Sequence, residues 1–175
     1  MPDYQLNAKS VSLRYPAVMG ILNLTPDSFS DGGQFLSPED AVAHASHMVE
    51  QGAQIIDLGG ESTRPGSEPV SEQDELARVL PVIERLLKEN FVLSLDTTKP
   101  AVALAGLQAG ISILNDISGG NQDMLEHAAR FQAGYVLMHT QGSPQTMQDS
   151  PKYDDVVEEV RAFFDAKAED LQALE

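Results

Sequence analysis

QIIDLGGESTRPGSEPVSEQDELARVLPVIERLLKENFVLSLD, residues 54–96, contains one full cycle of a repeating pattern. An apolar run, QIIDLG, reads as a strand, and a polar loop rich in Gly, Pro and Ser follows it. Ser71 with Asp74 then offers an N-cap, and Leu76, Val79, Leu80, Ile83, Leu86 and Leu87 recur at helical spacing on one face. FVLSL, from Phe91, is the next strand. Similar apolar runs stand at Ala17 to Leu22 (AVMGIL), from Ser112 (SILND) and from Tyr135 (YVLM), which makes five strands. Ser37-Pro38-Glu39-Asp40 is a second helix start, with proline at the first helical position. The last segment, Asp154 to Glu175, repeats apolar residues at Val156, Val157, Val160, Phe163, Phe164, Leu171 and Leu174, as an amphipathic helix does.

Strands alternating with helices, and joined by no two-residue hairpin turn, must pair in parallel, because each crossover returns the chain to the same end of the sheet. All five strand C-termini then face one way. Residues 1–16 read as a small N-terminal extension or pair of edge strands, and residues 17–175 as the α/β domain. Spacing leaves two architectures open, a doubly wound sheet and a (β/α)8 barrel, which normally needs about 250 residues. The G-x-G-x-x-G fingerprint is missing after the first strand, so a dinucleotide fold is not expected.

The 175 residues carry a formal net charge of −16, which argues against nucleic acid as a partner. With no cysteine there is neither a disulfide framework nor a thiolate metal site. MPDYQLNAKS has neither the basic nor the apolar region of a secretion signal, and no apolar run approaches the roughly 20 residues that cross a bilayer. A soluble, cytoplasmic protein with no membrane partner is the expectation.

Polar residues recur at every strand end: Asn23, Thr63 with Arg64, Asp96, Asn115 with Asp116, and His139. In a parallel α/β fold such ends converge on one crevice. Turn formation is the competing reading for each of them. Asp96 could be a helix N-cap before Thr98-Lys99-Pro100, Asn115 could shape a turn before Asp116, and Arg64 could be a solvated loop charge. His139 has no second ligand at metal spacing beside it, and His44 and His47, three residues apart, belong to the outer helical ring.

NLTPDSFSDGG (Asn23 to Gly33) and DLGGESTRPGS (to Ser67) closely resemble two signature motifs of the dihydropteroate synthase, or pterin-binding, family. The likeness continues through SLDTTKP (Ser94 to Pro100), ILNDISGG (Ile113 to Gly120) and LMHTQGSPQTMQDSPKYDDV (Leu137 to Val156), so it spans nearly the whole chain. It implies a TIM-barrel domain, here an incomplete one of about five βα units.

The resemblance also assigns roles. Asn23 would meet a magnesium-bound pyrophosphate, and Thr63 and Arg64 would contact substrates, an arginine beside a hydroxyl being suited to an oxyanion. Pro65 would belong to the p-aminobenzoate pocket. Asp96 and Asn115 would hold the pterin, whose amino and ring N–H groups donate to a carboxylate, with Met138 packed against the ring. Asn23, Asp96 and Arg64 would serve catalysis, with Mg²⁺ as cofactor and pterin pyrophosphate and p-aminobenzoate as substrates, in a homodimer.

The expected reaction joins 6-hydroxymethyl-7,8-dihydropterin pyrophosphate to p-aminobenzoate, giving 7,8-dihydropteroate and pyrophosphate. The family's later motifs, DPG-x-GFGK, SRK and RVHD, do not occur in this sequence. They carry a pterin aspartate, a lysine and the Arg and His that grip pyrophosphate, so the 175 residues alone are expected to be inactive. The alternatives are a non-catalytic pterin-binding paralogue and the folate-binding module of a methyltransferase.

Overall fold

The computed structural model describes residues 3–6, 9–12, 16–25, 37–62, 68–142, 146–147 and 150–174. Strands β1 (Asp3–Leu6) and β2 (Lys9–Ser12) pair antiparallel as a separate two-stranded sheet. The main sheet has five parallel strands: β3 (Met19–Asn23), β4 (Ile55–Gly59), β5 (Val92–Asp96), β6 (Ile113–Asp116) and β7 (Gly134–Leu137). They lie side by side in chain order. That order answers what spacing left open, because a doubly wound sheet reverses direction at a switch point and a barrel does not. The chain forms five consecutive βα units of a (β/α)8 barrel, which is incomplete.

Helices α1 (Pro38–Glu50), α2 (Glu72–Leu86), α3 (Pro100–Ala109), α4 (Gln122–Phe131) and α5 (Val156–Gln172) follow the strands in turn, each packed on the next. Their starts are chemical. Ser37 and Ser71 accept the amides of Asp40 and Asp74, each at 3.1 Å, and Asn121 accepts that of Met124 at 3.0 Å. The helix-facing side of the sheet, through Leu22, Ile56, Leu58, Leu93, Leu95 and Leu114, is wholly buried against them. Each such side chain stabilises the fold by about 1.5–3 kcal/mol relative to exposure.

The α2 face differs from the expected stripe. Its buried residues are Glu75, Val79, Val82, Ile83 and Leu86, while Leu76 and Leu80 are only half-buried at the edge of the core. A fully buried glutamate is not part of an apolar pattern, so periodicity places the stripe about one residue off. Tertiary pairing explains the difference, since Lys99 Nζ meets Glu75 Oε2 at 2.6 Å.

Candidate functional site

Parallel register sets Asn23, Gly59, Asp96 and Asn115 in one row across β3 to β6. Neighbouring strands are roughly 4.8 Å apart, so the row is compact. Residues two apart share a face, and this row therefore looks away from the helices, together with Ile21, Asp57 and Ser94 beneath it. Gly59 keeps the row open. A Cβ there would stand 3.5 Å from Asn23 Oδ1 and 3.9 Å from the Asp96 Cβ, so the missing side chain leaves a gap between the two polar groups.

The floor of the row is acidic. Asp57 is buried, and its Oδ2 accepts Nδ2 of Asn115 at 3.0 Å. A carboxylate can only accept in this state, so the contact fixes which end of the Asn115 amide faces it and leaves the amide oxygen for another donor. Burial raises the Asp57 pKa, against lowering by Ser94 and Asn115. The Ser94 hydroxyl is near enough to act on that charge, yet its Oγ makes no hydrogen bond among the described residues. Asp96 is pushed up to about 7, first by burial and then by the charges of Asp57, Glu75, Asp116 and Glu61. Asp96 Oδ1 and Asp57 Oδ1 are both buried without a hydrogen-bond partner among the described residues. A face with spare acceptors on carboxylates suits a flat ligand rich in N–H donors.

Neither turn-forming alternative holds. Asp96 makes no cap: the N-cap of α3 is Lys99, without a side-chain bond, and the turn before it is closed by Thr97 Oγ1 accepting the Lys99 amide at 3.2 Å. At the end of β6 it is Asp116, not Asn115, that shapes the turn, accepting the amides of Ser118 at 2.7 Å and Gly120 at 2.9 Å. Asp116 also accepts the Tyr135 hydroxyl at 2.6 Å on the helix side of the sheet. It therefore leaves the group of strand-end residues expected to converge.

Met138, half-buried just past β7, falls on the same face as Asn115 by alternation from Val136, which is Asn115's register partner. His139 packs edge-on against Phe163 of α5 at 4.9 Å between ring centroids, and against Tyr153 at 5.9 Å. Its ring is a packing element. His47 is exposed and His44 half-buried on α1. Thr63, Arg64 and Pro65 lie outside the described residues.

Residues 19–175 match the family described as pterin binding enzyme. The chain belongs to the pterin-binding enzyme family. Within it, the chain is 52% identical over 157 residues to dihydropteroate synthase of Escherichia coli strain K12, covering 89% of this chain and 56% of that one. Among solved structures, dihydropteroate synthase of Yersinia pestis, in complex with a sulfonamide drug, superposes with a TM-score of 0.88 at 44% identity, covering 99% of this chain and 64% of that one. The Burkholderia cenocepacia enzyme, complexed with 7,8-dihydropteroate, gives 0.83 at 42% identity, over 98% and 59%. The chain thus spans less than two thirds of the length of these pterin-binding relatives.

Sequence reasoning passed over Asp57. A signal was present: a carboxylate inside the apolar run QIIDLG is costly to bury unless something pairs with it. It also passed over the Lys99, Glu61 and Glu75 ion group, whose members are far apart in the chain and carry no local pattern.

Proposed function

We propose that this chain forms the pterin side of a dihydropteroate synthase, which joins 6-hydroxymethyl-7,8-dihydropterin pyrophosphate to p-aminobenzoate and releases pyrophosphate. The observation that carries the reading is the row Asn23–Gly59–Asp96–Asn115, with buried spare acceptors on Asp96 and Asp57, in a chain of the pterin-binding family. Pterin amino and ring N–H groups would supply the donors these carboxylates lack. Asn115, oriented by Asp57, would offer both an acceptor and a donor to the ring edge. Met138 would cover a ring face.

Arylamine attack needs little help from a base, since the amine of p-aminobenzoate is already unprotonated at neutral pH. The demand is for stabilising charge as pyrophosphate departs. An ionised Asp96 beside the ring would favour a cationic pterin methylene, in surroundings with little water to screen the interaction. Thr63, Arg64 and Pro65 would hold p-aminobenzoate, with Arg64 on an oxyanion.

Among the described residues, magnesium fits this donor set through Asn23. No group of three His, Cys, Asp or Glu able to hold a metal occurs among the described residues, whereas Asn23 supplies one hard oxygen beside the gap at Gly59. One neutral oxygen suits an ion carried mainly by substrate phosphates. Bound there, Mg²⁺ would neutralise charge on the leaving pyrophosphate. A cytoplasmic homodimer completes the reading, for a sequence without cysteine whose described residues include no helix long and apolar enough to cross a membrane.

The test uses the native-length protein with Mg²⁺ and both substrates. Dihydropteroate should form, and Arg64→Ala should raise the KM for p-aminobenzoate by about tenfold or more while the fold is retained. Wild-type protein without product in this assay would remove the synthase reading.

A further inference from the structure

Two loops meet above the row, and one cation joins them. Lys99 lies three residues after Asp96, between β5 and α3, and its Nζ donates to Glu61 Oε2 and, at 2.6 Å, to Glu75 Oε2. Glu75 comes from α2 and its side chain has no solvent exposure, while those of Lys99 and Glu61 are only 19% and 23% exposed. Glu61 begins the loop that follows β4. Its other oxygen, Oε1, accepts the Val70 amide at 3.3 Å, so a single carboxylate ties the two ends of the segment 61–70 together. The same stem is held from below. Arg78 donates to the Gly60 carbonyl at 2.7 Å, and Gly60 sits so close to α2 that a Cβ would fall 2.8 Å from both Glu75 Cγ and Val79 Cγ1.

We propose that Lys99 is a positioning residue, which sets the stem of the 61–70 loop against the Asp96–Asn115 row by bridging Glu61 to the buried Glu75. The proposal rests on the synthase reading in one respect, that Thr63, Arg64 and Pro65 on this loop serve p-aminobenzoate. Two carboxylates share one ammonium, and each is needed for a different end. Glu75 anchors the cation to the helix, and Glu61 passes the anchorage to the loop. Burial lowers the Lys99 pKa, but hydrogen bonds and the charges of Glu61 and Glu75 more than offset it, so the bridge keeps its charge at neutral pH.

The experiment uses Lys99→Met, Lys99→Arg and Lys99→Met/Glu75→Gln in the native-length protein. The double variant matters because Lys99→Met alone strands a buried charge and can unfold the protein. Steady-state kinetics should show the KM for p-aminobenzoate raised about tenfold or more in the folded double variant, with that for pterin pyrophosphate changed less than about threefold. Lys99→Arg, which keeps the charge, should recover most of the loss. Amide hydrogen exchange supplies a readout independent of turnover: Val70 should exchange about tenfold faster while amides of β4 and α3 keep their protection.

A purely structural role would lower the active fraction and kcat but leave both KM values in place, and that result would overturn the proposal. Unchanged protection at Val70 would overturn it too, whether or not the protein turns over. If wild-type protein forms no dihydropteroate, the synthase reading fails, and exchange at Val70 alone decides the tether.

Discussion

At the scale of single residues, the role proposed for Asp96 sets ligand binding against stability. Its carboxyl is raised from 3.8 to about 7, so between those values the folded state holds a proton that the unfolded state has released. Stability therefore falls as pH rises through this window, and the ionised form remains a burden above it. Asp96→Asn removes the burden. At pH 8 the variant should be more stable than wild type by about 1–2 kcal/mol, the shift being discounted for relaxation and partial solvent access. The difference should vanish near pH 4, as chemical denaturation at the two pH values would reveal. Pterin affinity should move the other way, weakening in the variant by about tenfold or more. In wild type it should rise with pH up to about 7 and then level off, because ring N–H donors prefer the ionised carboxylate. Calorimetry that found equal pterin affinity in variant and wild type would take Asp96 out of the site.

The elements that hold the row depend on glycine where helix meets sheet. Gly106, within α3, is buried, and a Cβ there would lie 2.5 Å from Leu95 Cδ2 and 3.2 Å from Ile111 Cδ1. Leu95 is the residue before Asp96, so pressure on it is passed straight to the carboxylate. Helix propensity favours Gly106→Ala by about 1 kcal/mol, whereas overpacking a filled core opposes it by about 1–3 kcal/mol. Packing should prevail. The variant should show a lower denaturation midpoint with an unchanged denaturant slope, and a weakened pterin site. A stabilised Gly106→Ala protein would mean that α3 can move away from β5 at little cost. Gly110 belongs to the same helix for a different reason, since its φ of 119° ends α3 in a conformation that residues with a Cβ rarely adopt.

For the whole molecule the question is what an open set of five βα units does by itself. The sheet ends in β3 on one side and β7 on the other, and neither has a further strand beside it among the described residues. On the face that a closed barrel would fill, Ile21 is 62% exposed and Val136 43%. Val156 and Val157 at the start of α5 are exposed as well. Unpaired edges beside exposed aliphatic side chains favour pairing between chains. The 175-residue polypeptide expressed alone should therefore sediment as more than a monomer and form no dihydropteroate, while the pterin contacts proposed for Asp96, Asn115 and Met138 should leave it a measurable pterin affinity. A stable monomer with ordinary turnover would contradict both the open-edge argument and the need for the family's later motifs.

The sequence by itself determined the local and the repeated features. Strand runs, the Ser37 and Ser71 caps and the alternation that requires parallel pairing depend on residues within a few positions of one another, and the family motifs are contiguous strings. Barrel against open sheet was not legible from spacing, because strand order is a property of which distant segments pair; the chain-order register from β3 to β7 decided it. The same holds within the site. Asp96 and Asn115 could be named from strand ends, but only the fold brought Asp57 under Asn115 and turned Asp116 to the opposite side of the sheet. Glu75 lies in the core because Lys99, 24 residues later, pairs with it there. Burying a charge is a matter of three-dimensional pairing, and pairing between segments far apart in the chain leaves no periodicity to read.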